Sequence, residues 1–211
     1  SRIFCVFLTN FHTNDKLITI KIKMFIQTEQ TPNPQTLKFL PGKVVMVEGT
    51  AFYQNVNEAD NSPFARRLFA IEGVEGVFFG SDFITITKSD TFEWQVMKPS
   101  VLGSIIDHFN SDDVTVEKIE NKLSENNLKS SEDDSDIVKQ IKELLDTRVR
   151  PAVAMDGGDI IYNDFEDGIV YLKMQGACSG CPSSTATLKM GIENMLKHYI
   201  PEVQEVRPVD A

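Results

Sequence analysis

The chain has 211 residues, 41% of them hydrophobic and 25% charged, enough for one or two ordinary globular domains. Its 31 acidic and 21 basic side chains give a net charge of −10, which argues against nucleic-acid phosphates as a main partner. Three cysteines cannot make a disulfide framework and point to a reducing compartment, and no stretch is long and apolar enough to span a membrane.

Residues 1–23 hold a short apolar run at 3–8, but neither a cleavable secretory pattern nor the Arg- and Ser-rich composition of a transit peptide. They are read as an upstream extension, with Met24 as the natural start. Weak alternation predicts a strand at 24–28, and Thr31-Pro32-Asn33-Pro34 a stiff turn. Strands are expected at 36–40 and 44–47, parted by Pro41-Gly42, and a polar loop at 51–61. Ser62-Pro63 caps and starts a helix whose apolar face is Phe64, Leu68, Phe69 and Ile71, with Gly73 as its stop. Residues 74–79 and 83–87, divided by Gly80-Ser81-Asp82, read as a hairpin. Trp94 is placed just before a helix as an anchor between elements, with Pro99 in that helix's first turn. Val101, Leu102, Ile105, Ile106 and Phe109 form its buried face. Residues 24–110 thus make a small α+β domain with its own core.

Between 111 and 135 aromatics vanish and Asp, Glu, Ser, Asn and Lys dominate, which reads as an acidic, flexible linker with one short amphipathic piece around 116–123. A second α+β domain is read at 136–211. Ile137, Ile141, Leu144 and Leu145 predict a helix ending before Pro151. Asp156-Gly157-Gly158-Asp159 makes a sharp turn, with the two aspartates as caps. Strands at 160–163 and 169–174 join through Asp167-Gly168. A helix carrying Leu188, Ile192, Met195, Leu196 and Tyr199 ends at Pro201, and 203–206 returns as a strand. The order is α-β-β-α-β, and no internal repeat links the two domains.

The chemistry concentrates at Cys178-Ser179-Gly180-Cys181, at the strand-to-helix junction. Gly176, Ala177, Ser179 and Gly180 are too small to shield the thiols, which are not expected to be core. Pro182 suits the first turn of the following helix, and Ser183 and Ser184 its cap. The positive end of that helix favours thiolate, the form that binds soft metals. Iron–sulfur clusters and closed zinc sites usually take four protein ligands. One loop offers two, and Cys5 is remote, so an all-cysteine centre is most simply completed by a second copy of the loop across a homodimer. By ligand type alone the pair suits an iron–sulfur cluster, a two-chain zinc site, or a thioredoxin-like dithiol acting as a thiol–disulfide oxidoreductase. A thioredoxin-like site is disfavoured by the flanking hairpin and by a proline after, not between, the cysteines. His12, His108 and His198 lack metal-finger spacing and are read as packing or surface residues, and Cys5 is given no role.

Residues 136–209 resemble the C-terminal domain of the Nfu family of iron–sulfur cluster scaffolds and carriers. The matching residues are Leu144-Leu145-Asp146, Arg148, Arg150-Pro151, Asp156-Gly157-Gly158-Asp159 and Gly176 through Ser184. Residues 24–110 resemble that family's N-terminal domain through Met24-Phe25-Ile26-Gln27-Thr28, Thr31-Pro32-Asn33-Pro34, Leu37-Lys38-Phe39-Leu40-Pro41-Gly42 and Gly76-Val77-Phe78-Phe79-Gly80. The resemblance implies a non-enzymatic protein whose Cys178 and Cys181 bind a [4Fe–4S] cluster, with [2Fe–2S] as the alternative, bridged between two subunits. It further implies upstream cluster-assembly proteins as donors, and transfer to apo-proteins such as lipoate-synthesis and respiratory enzymes. The N-terminal domain shows no chemistry and is read as selecting recipients or modulating transfer. The Asn- and Lys-rich linker and the missing transit pattern favour bacterial cytoplasm, with the mitochondrial matrix as the alternative.

Overall fold

The computed structural model describes residues 24–111, 113–117, 135–180 and 182–209. Residues 1–23, most of the expected linker and Cys181 lie outside this set. The chain is α+β, with two sheets and two separate hydrophobic cores. Among the described residues no helix is long and apolar enough to cross a membrane.

The first sheet is antiparallel, with order β1 (Gln27–Gln30), β2 (Thr36–Leu40), β5 (Ile84–Lys88), β4 (Val74–Phe79) and β3 (Ala51–Tyr53). Alternation along these strands sends Leu37, Phe39, Val77, Phe79, Ile84 and Ile86 to one face. There they meet Phe64, Ala65 and Leu68 of α1 (Pro63–Phe69) and Val101 and Ile105 of α2 (Trp94–Asn110). Ser62 caps α1 as expected, its hydroxyl accepting from Ala65 N at 3.0 Å.

Four local expectations are corrected here. The strand expected at 24–28 begins at Gln27. The one expected at 44–47 is absent: Val44 and Val47 are exposed, and the segment is held by Val45 N and Met46 N donating to Ser81 O. The strand that pairs with β4 is β3, within the expected polar loop, where Phe52 and Tyr53 pack edge-on against Phe78 and Phe79. Trp94 opens α2 instead of preceding it, so Pro99 stands inside the helix. The carbonyl it leaves free, on Gln95, lies on an exposed stretch where water can satisfy it. Trp94 does anchor two elements, donating to Pro34 O at 3.3 Å and meeting Phe39 edge-on.

His108 lies in this core, 1% exposed, stacked on Phe64 with ring centroids 3.8 Å apart. The Arg67 guanidinium faces its Nδ1 at 3.0 Å, so Nδ1 accepts and Nε2–H donates to Thr115 Oγ1 at 3.1 Å. Burial, then Arg67, push its pKa down to about 4, against the opposing charge of Asp113.

In the second domain α3 (Asp136–Leu144) does not stop before Pro151. It passes through one π-helical turn (Leu145–Val149) into α4 (Arg150–Met155). Pro151 directly follows the π-helical turn, where the register of the backbone bonds changes and its ring and missing N–H are accommodated. With this bent helix counted once, the α-β-β-α-β order holds. β6 (Gly158–Glu166) and β7 (Ile169–Gly176) pair antiparallel through a turn at Asp167 and Gly168, and α5 (Pro182–Tyr199) leads to β8 (Glu205–Val209), parallel to β7. Ile141, Leu145, Ile160, Val170, Leu172, Leu196 and Val206 fill the core.

The two domains are not merely tethered; they touch. On the sheet face turned away from α1 and α2, Lys38 of β2, Thr85 of β5 and Phe78 of β4 form one cross-strand row, and all three are buried. The second domain covers them. Lys38 Nζ donates to Ala154 O and Met155 O, both at 3.0 Å, placing its charge at the negative end of α4. Thr85 Oγ1 donates to Gly157 O at 2.7 Å, and Thr50 Oγ1 to Asp159 Oδ2 at 2.9 Å.

Candidate metal centre

The strand β7 ends in the loop that carries Cys178. Gly176 closes the strand at φ +62°, and a side chain there would strike Gly157 O at 2.7 Å and the Phe78 ring at 3.0 Å. Backbone bonds then fold the loop on itself: Ala177 N donates to Gly157 O, Cys178 N to Gln175 O, and Ser179 N to Gly176 O. From the first turns of α5, Thr185 Oγ1 donates to Cys178 O at 3.2 Å. From the other domain, Asn33 Nδ2 donates to Ser179 O at 3.2 Å.

The thiol of Cys178 is not where the small residues around it suggested. It is 5% exposed and belongs to the core of the second domain. Its sulfur lies 2.5 Å from where the Cβ of a side chain at position 158 would begin, so glycine there makes the space it occupies. The expectation of an exposed, readily ionised thiol is therefore corrected for Cys178. Burial, then the charges of Asp156 and Asp159, push its pKa up to about 12. A helix terminus contributes about 0.3–1 kcal/mol toward the thiolate, less than one tenfold step in acidity, and is outweighed. Cys181, the second expected ligand, lies outside the described residues, as do the side chains of Ser183 and Ser184.

Asp159 also departs from its expected role as a simple cap. It is 4% exposed and binds Arg150 in a fork, Nε to Oδ1 at 2.8 Å and Nη2 to Oδ2 at 2.9 Å. Asp146 takes the remaining side of the guanidinium at 3.0 Å. This triad ties the bent helix to the start of β6, directly behind the cysteine loop. It was not legible as a unit, because the phase of Arg150 depends on the π turn, which the apolar spacing does not announce. Gln175 Oε1, buried next to the loop, has no hydrogen-bond partner.

Among the described residues no three His, Cys, Asp or Glu side chains come together as a metal site. The loop supplies a soft sulfur donor in a small-residue turn, which suits iron or zinc, but one described thiol does not complete a coordination shell. His108 lies in the other core, and the His198 ring meets Tyr199 edge-on.

Comparison with known proteins follows the same division. The family model described as "Scaffold protein Nfu/NifU N terminal" matches residues 26–112, and the one described as "NifU-like domain" matches residues 141–207. The chain is 53% identical over 185 residues to NifU-like protein 4, mitochondrial, of Arabidopsis thaliana, covering 87% of this chain and 65% of that protein. It is 53% identical over 187 residues to the human NFU1 iron-sulfur cluster scaffold homolog, mitochondrial, covering 88% and 72%. The chain thus spans about two thirds of the length of the curated relatives it matches. Among solved structures, a NifU-like protein from Saccharomyces cerevisiae aligns at 23% identity and TM-score 0.43, over 54% of this chain and 100% of that one. Protein SAV1430 from Staphylococcus aureus aligns at 26% identity and TM-score 0.34, over 37% and 94%.

Proposed function

The chain belongs to the Nfu family of iron–sulfur cluster scaffold proteins, and on that premise we propose that it carries an iron–sulfur cluster and hands it to apo-proteins without catalysing a reaction of its own. The cluster is cargo. Cys178 and Cys181 of two copies hold a [4Fe–4S] cluster between them, so the working form is a homodimer joined through its load. What carries this reading is the Cys178 loop, a soft sulfur donor in a small-residue turn between β7 and α5, within the residues 141–207 that match the NifU-like domain.

The parts divide accordingly. Residues 136–211 bind the cluster, residues 24–110 govern its release to recipients, and residues 111–135 connect them. Donors are cluster-assembly proteins, and recipients are apo iron–sulfur enzymes, including those of lipoate synthesis and respiration. The Arabidopsis and human relatives named above are mitochondrial proteins, which favours the matrix over the bacterial cytoplasm suggested by the linker composition.

Anaerobic reconstitution with iron and sulfide, with Mössbauer spectra and iron, sulfide and protein quantified on a sized species, tests the reading. One [4Fe–4S] cluster per dimer is expected. A zinc-only dimer, or a metal-free monomer with dithiol turnover, overturns it.

A further inference from the structure

We propose that the N-terminal domain is a lid over the ligand loop, and that the chain alternates between a closed form, with the thiol of Cys178 turned inward, and an open form that can meet a second copy. This inference rests on the cluster-carrier reading for its purpose, but its geometry stands apart from it.

Three observations carry it. The lid is fastened on both sides of the loop. Asn33 Nδ2 holds Ser179 O, immediately after the cysteine, while Thr85 Oγ1 holds Gly157 O, the same carbonyl that accepts from Ala177 N immediately before it. Phe78 sits against Gly176 at the loop's root. In this arrangement the sulfur points toward Gly158 and the core, not outward to a partner chain. A metal–thiolate bond is about 2.3 Å long, so a second chain sharing a centre must approach the loop itself. Asn33 Nδ2 holds the loop backbone at 3.2 Å, and with the sulfur turned toward Gly158 the loop in this conformation offers a second chain no ligand from Cys178.

The interface is also built to part. Its bonds are made largely by polar side chains to backbone carbonyls, which water can replace on opening. Gln175, on the face of β7 opposite the core residue Met174, is buried with its Oε1 unsatisfied, a penalty that opening relieves. Ligation by Cys178 then needs no change of oxidation state in the lid: the thiol proton passes to solvent as the sulfur binds the metal, and Lys38 and Thr85 are released to water.

Two readouts on the full chain test the lid. The first is alkylation of Cys178 by iodoacetamide in metal-free protein, followed by tandem mass spectrometry, in wild type and in a Thr85→Val, Lys38→Met double variant. Both replacements keep apolar volume; Thr85→Val removes only a fastening bond, and Lys38→Met removes two more together with the ion pair to Glu29 and the contact with the Phe83 ring. The lid predicts alkylation at least about tenfold faster in the variant, from the loss of three hydrogen bonds, with circular dichroism unchanged. Unchanged alkylation overturns the lid even where iron and sulfide bind normally. Faster alkylation in a protein that takes up no iron and sulfide leaves the lid standing and removes the cluster reading. The second readout needs no variant. Lys38 is 7% exposed in the closed form, so a water-soluble acylating reagent modifies it slowly in metal-free wild type and at least about tenfold faster once iron and sulfide have loaded the dimer. Equal protection of Lys38 before and after loading overturns the proposal.

Discussion

The sulfur of Cys178 fills the volume that any side chain on Gly158 would need. The first strand residue of β6 and the ligand loop at the end of β7 are therefore fitted to each other across the sheet, where Gly158 pairs with Gly176. Gly158→Ala should push the loop out of register with the core and lower stability by about 1–3 kcal/mol. Urea unfolding followed by circular dichroism measures the loss, and an unchanged midpoint would show that the loop yields freely.

Cys178→Ala and Cys178→Ser should both lose iron and sulfide, yet differ in stability. Alanine removes one buried sulfur, at about 1–2 kcal/mol. Serine places a hydroxyl in the same apolar surroundings and costs about 1–3 kcal/mol more unless it finds a partner. Cys181→Ala should lose cluster at wild-type protein yield. Iron retained at wild-type stoichiometry in Cys181→Ala would remove that residue from the ligand set.

The Arg150 triad gives an ordered pair of outcomes. Asp146 is more than half exposed, so Asp146→Asn should cost under about 1 kcal/mol. Arg150→Met leaves the nearly buried Asp159 carboxylate without its cation and should cost about 2–4 kcal/mol. Denaturant midpoints compare the two, and equal effects would contradict the burial argument.

His108 sets a pH dependence in the first domain. Its folded pKa, about 4, lies below the ordinary histidine value, so between the two the unfolded chain binds a proton that the folded chain does not. Stability from this site is full above about pH 6.5 and is lost as the pH falls toward 4, by about 3 kcal/mol. Chemical denaturation of wild type and His108→Phe at pH 7 and pH 5 checks it. The variant should lose the difference between the two pH values, and an equal slope in both would locate the titration elsewhere.

Much of this architecture was legible because it rests on local signals. Ser62-Pro63 opens α1, Asp167-Gly168 turns the hairpin, and the cysteine loop falls between β7 and α5. What was hidden is what distant chain supplies. Ile84-Thr85-Ile86-Thr87 alternates like a strand with one face in water, yet Thr85 is fully covered, because the second domain lies on it. Lys38 reads as a surface charge for the same reason. Gly176, beside Cys178, reads as open space, whereas the structure uses it and Gly158 for close packing of backbone and sulfur; Gly180 alone is exposed and open. Periodicity reports which face of an element is apolar; it does not report what a polar face will meet.

The contacts that join Asn33 to Ser179 and Thr85 to Gly157 lie within one chain, whereas a bridged pair needs two. Closure is thus governed by the tether, which fixes an effective local concentration that dilution does not change. Pairing through a shared load falls away as the protein becomes scarce. On the proposed carrier and lid readings, low abundance drives the chain toward its self-contained form, and the balance between storing a load and standing idle follows the copy number of the protein itself.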